Sequence, residues 1–196
     1  MAESDIPQVM DIEREAFPSS WPQTAYKREL QNKAARYLVV TELLDSPQEP
    51  AATAGVWSAI RRIVSGESNA AAESERLLGF IGVWLMVGEA HIVTVAVRDE
   101  FRRGGIGERL LIATIEMALD YDQDLVTLEV RASNDAARRM YEKYGFAQAG
   151  VRKRYYSDNH EDAVIMTTPT IGTTGYRAGF DDLRARHQSR FPDLWA

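Results

Sequence analysis

The chain has 196 residues, a formal net charge of -6 and no cysteine, enough for one well-buried α/β domain with a decorated loop or tail but short for two full domains. The missing thiols exclude disulfides, thiolate metal sites and a cysteine nucleophile, and His91, His160 and His187 lack the spacing of a metal site. The acidic balance argues against broad binding to nucleic acid or an anionic membrane, and with no leader pattern and no run of transmembrane length a cytoplasmic protein is expected.

Ile6 to Phe17 carries a helical stripe of Ile6, Val9, Met10, Ile12, Ala16 and Phe17, with Asp5 placed to cap it and Pro7 in the tolerated first turn. Pro18-Ser19-Ser20-Trp21-Pro22 breaks the chain, and a second helix is predicted over Thr24 to Asn32 through Tyr26 and Leu30. Arg36 to Leu44 is rich in Tyr, Leu, Val and Thr and reads as a strand. From there the composition turns to Ala, Ser, Glu, Pro and Gly, with one amphipathic island at Val56, Trp57, Ile60, Ile63 and Val64. The expectation is a flexible insertion at 45–76 between two strands, with a specific interaction element as the alternative. Leu77 to Val87 and Ala90 to Val97 are apolar at nearly every position and turn at Gly88-Glu89, which predicts a hairpin in a part of the sheet covered on both faces.

The stretch from Val93 to Leu111 runs from a strand through Arg102-Arg103-Gly104-Gly105-Ile106-Gly107 into a helix predicted over Ile106 to Tyr121. A strand feeding a glycine loop feeding a helix N-terminus is an anion cradle, because bare backbone approaches the ligand and free N–H groups meet it. A dinucleotide fingerprint fails, since its last glycine would fall on Leu110, and a P-loop fails because no Lys-Ser or Lys-Thr follows. On these residues alone, ligand binding and a plain turn stand level. Leu125 to Val130 reads as the next strand, and Ala132-Ser133-Asn134-Asp135 supplies caps for a helix through Tyr144 that Gly145 ends. Strands follow at Ala147 to Tyr156 and Asp162 to Thr167, joined by the polar Ser157-Asp158-Asn159-His160. From Pro169 a tail begins, read first as a frayed terminus. The alternative is a short Arg-rich helix over Phe180 to Arg190, with Phe191 and Trp195 docked on apolar surface.

The pattern Arg/Gln-x-x-Gly-x-Gly at Arg102, Gly105 and Gly107, followed by a strand and then Asn134, Ala137 and Tyr141 on a helix, resembles the acetyl-CoA-binding core of the GNAT N-acetyltransferases. LEVRASN at Leu128 to Asn134, MYEKYGF at Met140 to Phe146, RKRYY at Arg152 to Tyr156 and EDAVIM at Glu161 to Met166 are most similar to the RimI-type ribosomal-protein-alanine members. The resemblance covers Asp5 to Leu44 weakly and Leu77 to Pro169 strongly.

It implies an α/β (α+β) GNAT fold, a mixed central sheet flanked by helices on both faces, over residues 1–168 with a tail at 169–196. It also implies acetyl-CoA as donor, no metal, and a peptide or protein N-terminus as acceptor, in the RimI-type case a ribosomal protein. Lysine, a polyamine or an antibiotic amine are alternative acceptors, and a non-catalytic acyl-CoA-binding module is the alternative class. The family's general base maps onto Glu129 and its general acid onto Tyr141. Read without the family, Glu129 is as well a structural carboxylate paired with Arg131 or another arginine, and Tyr141 a core aromatic beside Tyr144 and Phe146. The main chain of Val95, Ala96 and Val97 maps onto the strand that binds the pantetheine arm and polarises the acetyl carbonyl. Arg102, Arg103, Gly104, Gly105, Ile106, Gly107 and Glu108 map onto the pyrophosphate loop, and Asn134 onto a cofactor contact through its amide. Phe17, Trp21, Tyr155 and Tyr156 wall the acceptor or belong to the core. Family members usually carry a strand before the first helix, whereas only four residues precede Asp5, so that strand is expected to be missing or to lie upstream.

Overall fold

The computed structural model describes residues 1–18, 21–43, 59–61 and 75–195. Its strands are β1 (Ala35–Leu43), β2 (Ala59–Arg61), β3 (Glu75–Met86), β4 (Glu89–Val97), β5 (Leu125–Arg131), β6 (Ala147–Arg152) and β7 (Ala163–Thr167). The helices are α1 (Ile6–Ala16), α2 (Gln23–Gln31), α3 (Ile106–Asp120), α4 (Asp135–Lys143) and α5 (Thr174–Arg190), with short 3-10 turns at Glu3–Asp5, Asp99–Phe101 and Pro192–Trp195. One mixed sheet results, in the order β2-β1-β3-β4-β5-β7-β6. Among the described residues only β4 and β5 are parallel neighbours, and α3 makes the crossover that a parallel pair needs.

Both faces of the sheet are covered, as the largely apolar runs of β3 and β4 predict. On one face Ile81, Val83, Ile92, Val126 and Leu128 pack under Leu110, Leu111 and Ile115 of α3 and under residues of α4 and α5. On the other, Leu77 and Phe80 meet Ile6, Val9 and Ile12 of α1 and Tyr26 of α2. Burying each such side chain contributes about 1.5–3 kcal/mol, so these two layers fix the angle at which the central strands are held.

Two irregularities shape the middle of the sheet. The β3–β4 ladder pairs Gly82 with Thr94 but Val83 with Ile92, leaving Val93 as an extra residue, and a bulge of this kind bends and twists its strand. The parallel ladder then runs only from Glu89↔Leu125 to Ile92↔Leu128. Beyond it, β4 and β5 part.

Several local expectations change. Asp5 does not cap α1: it is itself helical, and its Oδ2 accepts from the Ala2 N–H at 2.6 Å, because the chain enters α1 through a 3-10 turn whose own free donor lies closer. The insertion supplies an edge strand, β2, paired with Val40 to Glu42, while Val56, Trp57, Ile63 and Val64 lie outside the described residues. β6 ends at Arg152 rather than Tyr156, since Arg154 takes a left-handed φ of 54° and its N–H turns to Asp162 Oδ1 at 2.9 Å. The tail read as a frayed terminus is instead α5, capped by Thr173 Oγ1 on the Tyr176 N–H. Its Tyr176, Phe180, Leu183 and His187 form an i, i+4, i+7, i+11 stripe, and Ile171, Phe180 and His187 are buried. Among the described residues no strand precedes α1, and Met1 is buried with its amine donating to the Tyr37 carbonyl at 3.2 Å.

Candidate active site

The end of β4 passes through the Asp99–Phe101 turn to a loop in which Arg103 (φ 67°) and Gly105 (φ 85°) are both left-handed. Gly105 is the N-cap of α3, so the N–H groups that open the helix have no intrahelical acceptor and carry the positive end of its dipole. A Cβ at Gly107 would touch only a Val97 methyl at 3.8 Å, which leaves the main chain there open to a ligand. Arg102 lies beside the loop, half-exposed, paired with Asp99 at 2.7 Å and donating to the Val97 carbonyl. Glu108 departs from the expected role: its carboxylate is turned to Lys143 Nζ at 2.5 Å and the Tyr144 hydroxyl at 2.6 Å. Burial raises its pKa, but these two partners outweigh burial and hold it below the usual range. Only its main chain is left to face an anion.

Glu129 is the first residue of β5 beyond the last parallel pair, Ile92↔Leu128. Val126, Leu128 and Val130 point into the α3 core, so alternation sends Thr127 and Glu129 to the opposite face. There the Glu129 side chain is 10% exposed, with Oε1 at 2.9 Å from Arg152 Nε and Oε2 at 3.1 Å from His91 Nε2. The expected partner Arg131 is engaged elsewhere. The arginine alternative for Glu129 is thus met by Arg152, itself half-exposed and able to swing away.

His91 and Thr127 were not singled out in the sequence. They face each other in the parallel register, with His91 Nδ1 at 2.8 Å from Thr127 Oγ1, whose hydroxyl donates to Glu89. A hydroxyl has one proton, so with it on Glu89 the Nδ1–H of His91 must be the donor to Oγ1. Glu89, Thr127 and His91 thus form a hydrogen-bonded chain along the sheet, with Glu129 at ion-pair distance from its His91 end. The available signal was the i, i+2 spacing of Glu89 and His91 and of Thr127 and Glu129, but the register that merges the two pairs is not written in either strand.

Tyr141 is buried on α4, its ring 5.6 Å from Phe146, and burial pushes its phenol pKa upward, with Tyr156 adding to the effect. Asn134 caps α4, its Oδ1 accepting from the Ala137 N–H at 3.1 Å, which leaves its NH₂ as the group able to face a ligand. Arg131 gathers the loop after β6: it pairs with Asp158 at 2.9 Å and Glu161 at 3.3 Å, and its guanidinium lies 3.8 Å from the Tyr156 ring centroid. Tyr156 is pushed up to about 12, first by burial, with Arg131 opposing and Tyr155 and Glu129 reinforcing. Tyr156 therefore shares one electrostatic neighbourhood with Glu129 and Tyr141. Of the remaining acceptor-wall candidates, Phe17 packs on the α1 core, while Trp21 and Tyr155 are 39% and 49% exposed.

A profile described as the acetyltransferase (GNAT) family matches residues 47–146. The chain belongs to this family. It is 31% identical over 163 residues, 83% of the chain and 87% of the relative, to a Bacillus subtilis protein provisionally named ribosomal protein bS18-alanine N-acetyltransferase. It is also 31% identical over 85% of its length to an N-alpha-acetyltransferase of Sulfurisphaera tokodaii, covering 88% of that protein. The crystal structure of the ribosomal-protein-S18-alanine N-acetyltransferase from Escherichia coli superposes with a TM-score of 0.64 at 25% identity, covering 87% of this chain and 90% of that one.

The GNAT fold and an N-acetyltransferase activity with acetyl-CoA as donor follow from this membership. The glycine loop fits the donor's diphosphate: it opens a helix, reaches left-handed φ at its cap, and leaves the main chain at Gly107 uncovered. Among the described residues, no helix is long and apolar enough to cross a membrane.

Proposed function

We propose that the protein acetylates the α-amine of a protein N-terminus, with the N-terminal alanine of a small-subunit ribosomal protein as its acceptor. The carrying observation is the parting of β4 and β5 after Ile92 and Leu128, with a buried carboxylate, Glu129, at the first open position. The names of the Bacillus and Escherichia relatives support the ribosomal acceptor. The archaeal N-alpha-acetyltransferases match at similar identity and coverage, which favours as second reading a wider range of protein N-termini.

In this reading the glycine loop, from Arg102 and Arg103 to the main chain of Glu108, holds the donor phosphates, and the amide of Asn134 touches the pantetheine side. Main-chain N–H groups of Val95 to Val97 polarise the acetyl carbonyl. Glu129 takes a proton from the acceptor amine, whose positive charge competes with Arg152 for the carboxylate, and His91, Thr127 and Glu89 relay that proton outward. The neutral amine nitrogen bonds to the carbonyl carbon, the C–S bond breaks as Tyr141 gives its proton to the departing sulfur, and the second proton lost from the acylated nitrogen restores the Tyr141 phenol, leaving a neutral amide and the coenzyme A thiol. A terminal α-amine, with a pKa near about 8, is partly neutral already, whereas a lysine amine near about 10.4 is not, so one carboxylate base suits the former.

The test is thiol release from acetyl-CoA with three peptides: one beginning Ala-Arg, one with another first residue, and one N-terminally blocked with an internal lysine. Turnover confined to free N-termini supports the reading, and preference for Ala-Arg supports the ribosomal acceptor. Equal turnover of the blocked lysine peptide, or full activity in Glu129→Gln, would overturn it.

A further inference from the structure

One buried titratable side chain has no place in the catalytic groups above. His187 of α5 is 2% exposed, and its Nε2 lies 3.0 Å from the carbonyl oxygen of Gly105, 82 residues away in the chain. Its other nitrogen, Nδ1, lies 3.0 Å from Trp195 Nε1. An indole nitrogen only donates, so Nδ1 accepts and the neutral ring must carry its hydrogen on Nε2, aimed at Gly105. Both ring nitrogens are satisfied in that single tautomer. Burial, which pushes the imidazole pKa down, keeps the ring neutral.

The Gly105 carbonyl also accepts the Arg109 N–H at 2.9 Å, the first hydrogen bond of α3. Two donors from different elements thus fix the carbonyl of the left-handed cap. On its other side, carbons of the Phe191 ring would lie 2.7 Å from a Cβ built on Gly105, so the ring fills the space left by the missing side chain. Arg109 is clamped by the same segment, its guanidinium 4.0 Å from the Trp195 ring centroid and its Nε donating to the Leu194 carbonyl. The end of α5 and the Pro192–Trp195 turn thus meet the cap and first turn of α3 at Gly105 and Arg109, and the turn also lies against β2.

We propose that His187, Trp195 and Phe191 are positioning residues for the donor half of the site, holding Gly105 in its left-handed conformation so that the N–H groups opening α3 stay aimed at the diphosphate of acetyl-CoA. This rests on the reading of the glycine loop as the donor-phosphate site. A loop fixed before binding loses less conformational freedom on binding, and that gain is confined to ligands carrying the phosphates.

The experiment uses the full chain with His187→Phe, which keeps a ring but removes both hydrogen bonds, Trp195→Phe, which removes the indole donor from a half-buried position, and His187→Gln, whose amide keeps a donor. Calorimetry gives the Kd for coenzyme A, and steady-state rates compare acetyl-CoA with S-acetyl-pantetheine, which has the thioester but no diphosphate. His187→Phe and Trp195→Phe should each raise the Kd for coenzyme A and the KM for acetyl-CoA about tenfold, the scale of one lost hydrogen bond. They should leave kcat, the peptide KM and the KM for S-acetyl-pantetheine within about twofold, a difference of about 0.4 kcal/mol, and His187→Gln should recover part of the loss. Unchanged coenzyme A affinity in both phenylalanine variants overturns the proposal, as does an equal loss with S-acetyl-pantetheine. If His187→Phe does not fold, Trp195→Phe alone decides. Should the unaltered chain fail to bind coenzyme A, the donor-site reading fails and takes the proposal with it; binding by the unaltered chain and all variants alike removes the proposal only.

Discussion

Replacing Gly105 by alanine tests the geometry of the donor loop through stability alone. The residue sits at φ 85°, and an added Cβ would lie 2.7 Å from two Phe191 ring carbons. Left-handed backbone costs an L-residue about 1–2 kcal/mol, and pushing aside a ring in a packed contact costs about 1–3 kcal/mol. Reduced freedom of alanine in the unfolded chain returns about 0.4–1 kcal/mol. The net loss is about 2–3 kcal/mol, which for a chain of this size lowers Tm by about 5–10 °C. Thermal denaturation followed by circular dichroism measures it. In the double variant Gly105→Ala, Phe191→Ala the steric part disappears, so the two changes should be sub-additive by about 1 kcal/mol. Gly179→Ala, inside α5 with nothing within 4 Å of the added carbon, should instead stabilise by about 0.5–1 kcal/mol. A Tm for Gly105→Ala within about 2 °C of the unaltered protein would refute the strain argument, and strict additivity would refute the Phe191 contact.

Glu129→Gln should lower kcat by about 10²-fold or more, the usual weight of a general base. Thr127→Val, which keeps the base but cuts the path behind it, should lower kcat about tenfold with KM unchanged; equal rates in Thr127→Val and the unaltered enzyme would remove the relay. Arg131→Ala should raise the peptide KM and leave that for acetyl-CoA alone, because Asp158, Glu161 and Tyr156 lose their common partner. Arg131→Lys should not rescue it, since a point ammonium cannot bridge two carboxylates and cover a ring. Glu161 is lowered to about 2, first by hydrogen bonds from Ser133. Its folded pKa is depressed, so its stabilisation of the loop is complete above the unfolded value of about 4.3 and is lost as the pH falls from there toward 2. Limited proteolysis between pH 5 and pH 2.5 with an acid-active protease should show loop cleavage rising on acidification, and a pH-independent cleavage rate would contradict it.

Strands and helices that carry their own period were readable in the chain: β3, β4, α3 and α4 lie within two residues of where apolar spacing and Gly145 put them. The glycine loop was readable as an anion cradle because strand, glycines and helix follow one another directly. What lay beyond reach was contact between distant segments. Glu129 could be assigned a partner type but not Arg152, because the pairing depends on β6 crossing outside β7. His91 looked like an isolated histidine until the parallel register set it against Thr127. In α5 the buried stripe is made of Tyr176, Phe180, Leu183 and His187 among many arginines, so its polarity suggested a tail, although the positions follow helical spacing. Asp5 had the right residue type and offset for a cap and was captured by a nearer backbone donor.

The short parallel ladder has a mechanical consequence. With β4 and β5 joined only from Glu89 to Ile92 and from Leu125 to Leu128, the sheet is in effect two antiparallel plates, β2-β1-β3-β4 and β5-β7-β6, sewn along one seam. α3 backs that seam through Leu110 and Ile115, so the plates are braced on one face and can open only on the other, where Glu129 lies. A donor lodged in the gap would add main-chain stitches beyond the last parallel pair, Ile92↔Leu128. Amide exchange should therefore slow on binding in residues 93–97 and 129–131, on both lips of the gap, while the seam itself, already tied, changes little.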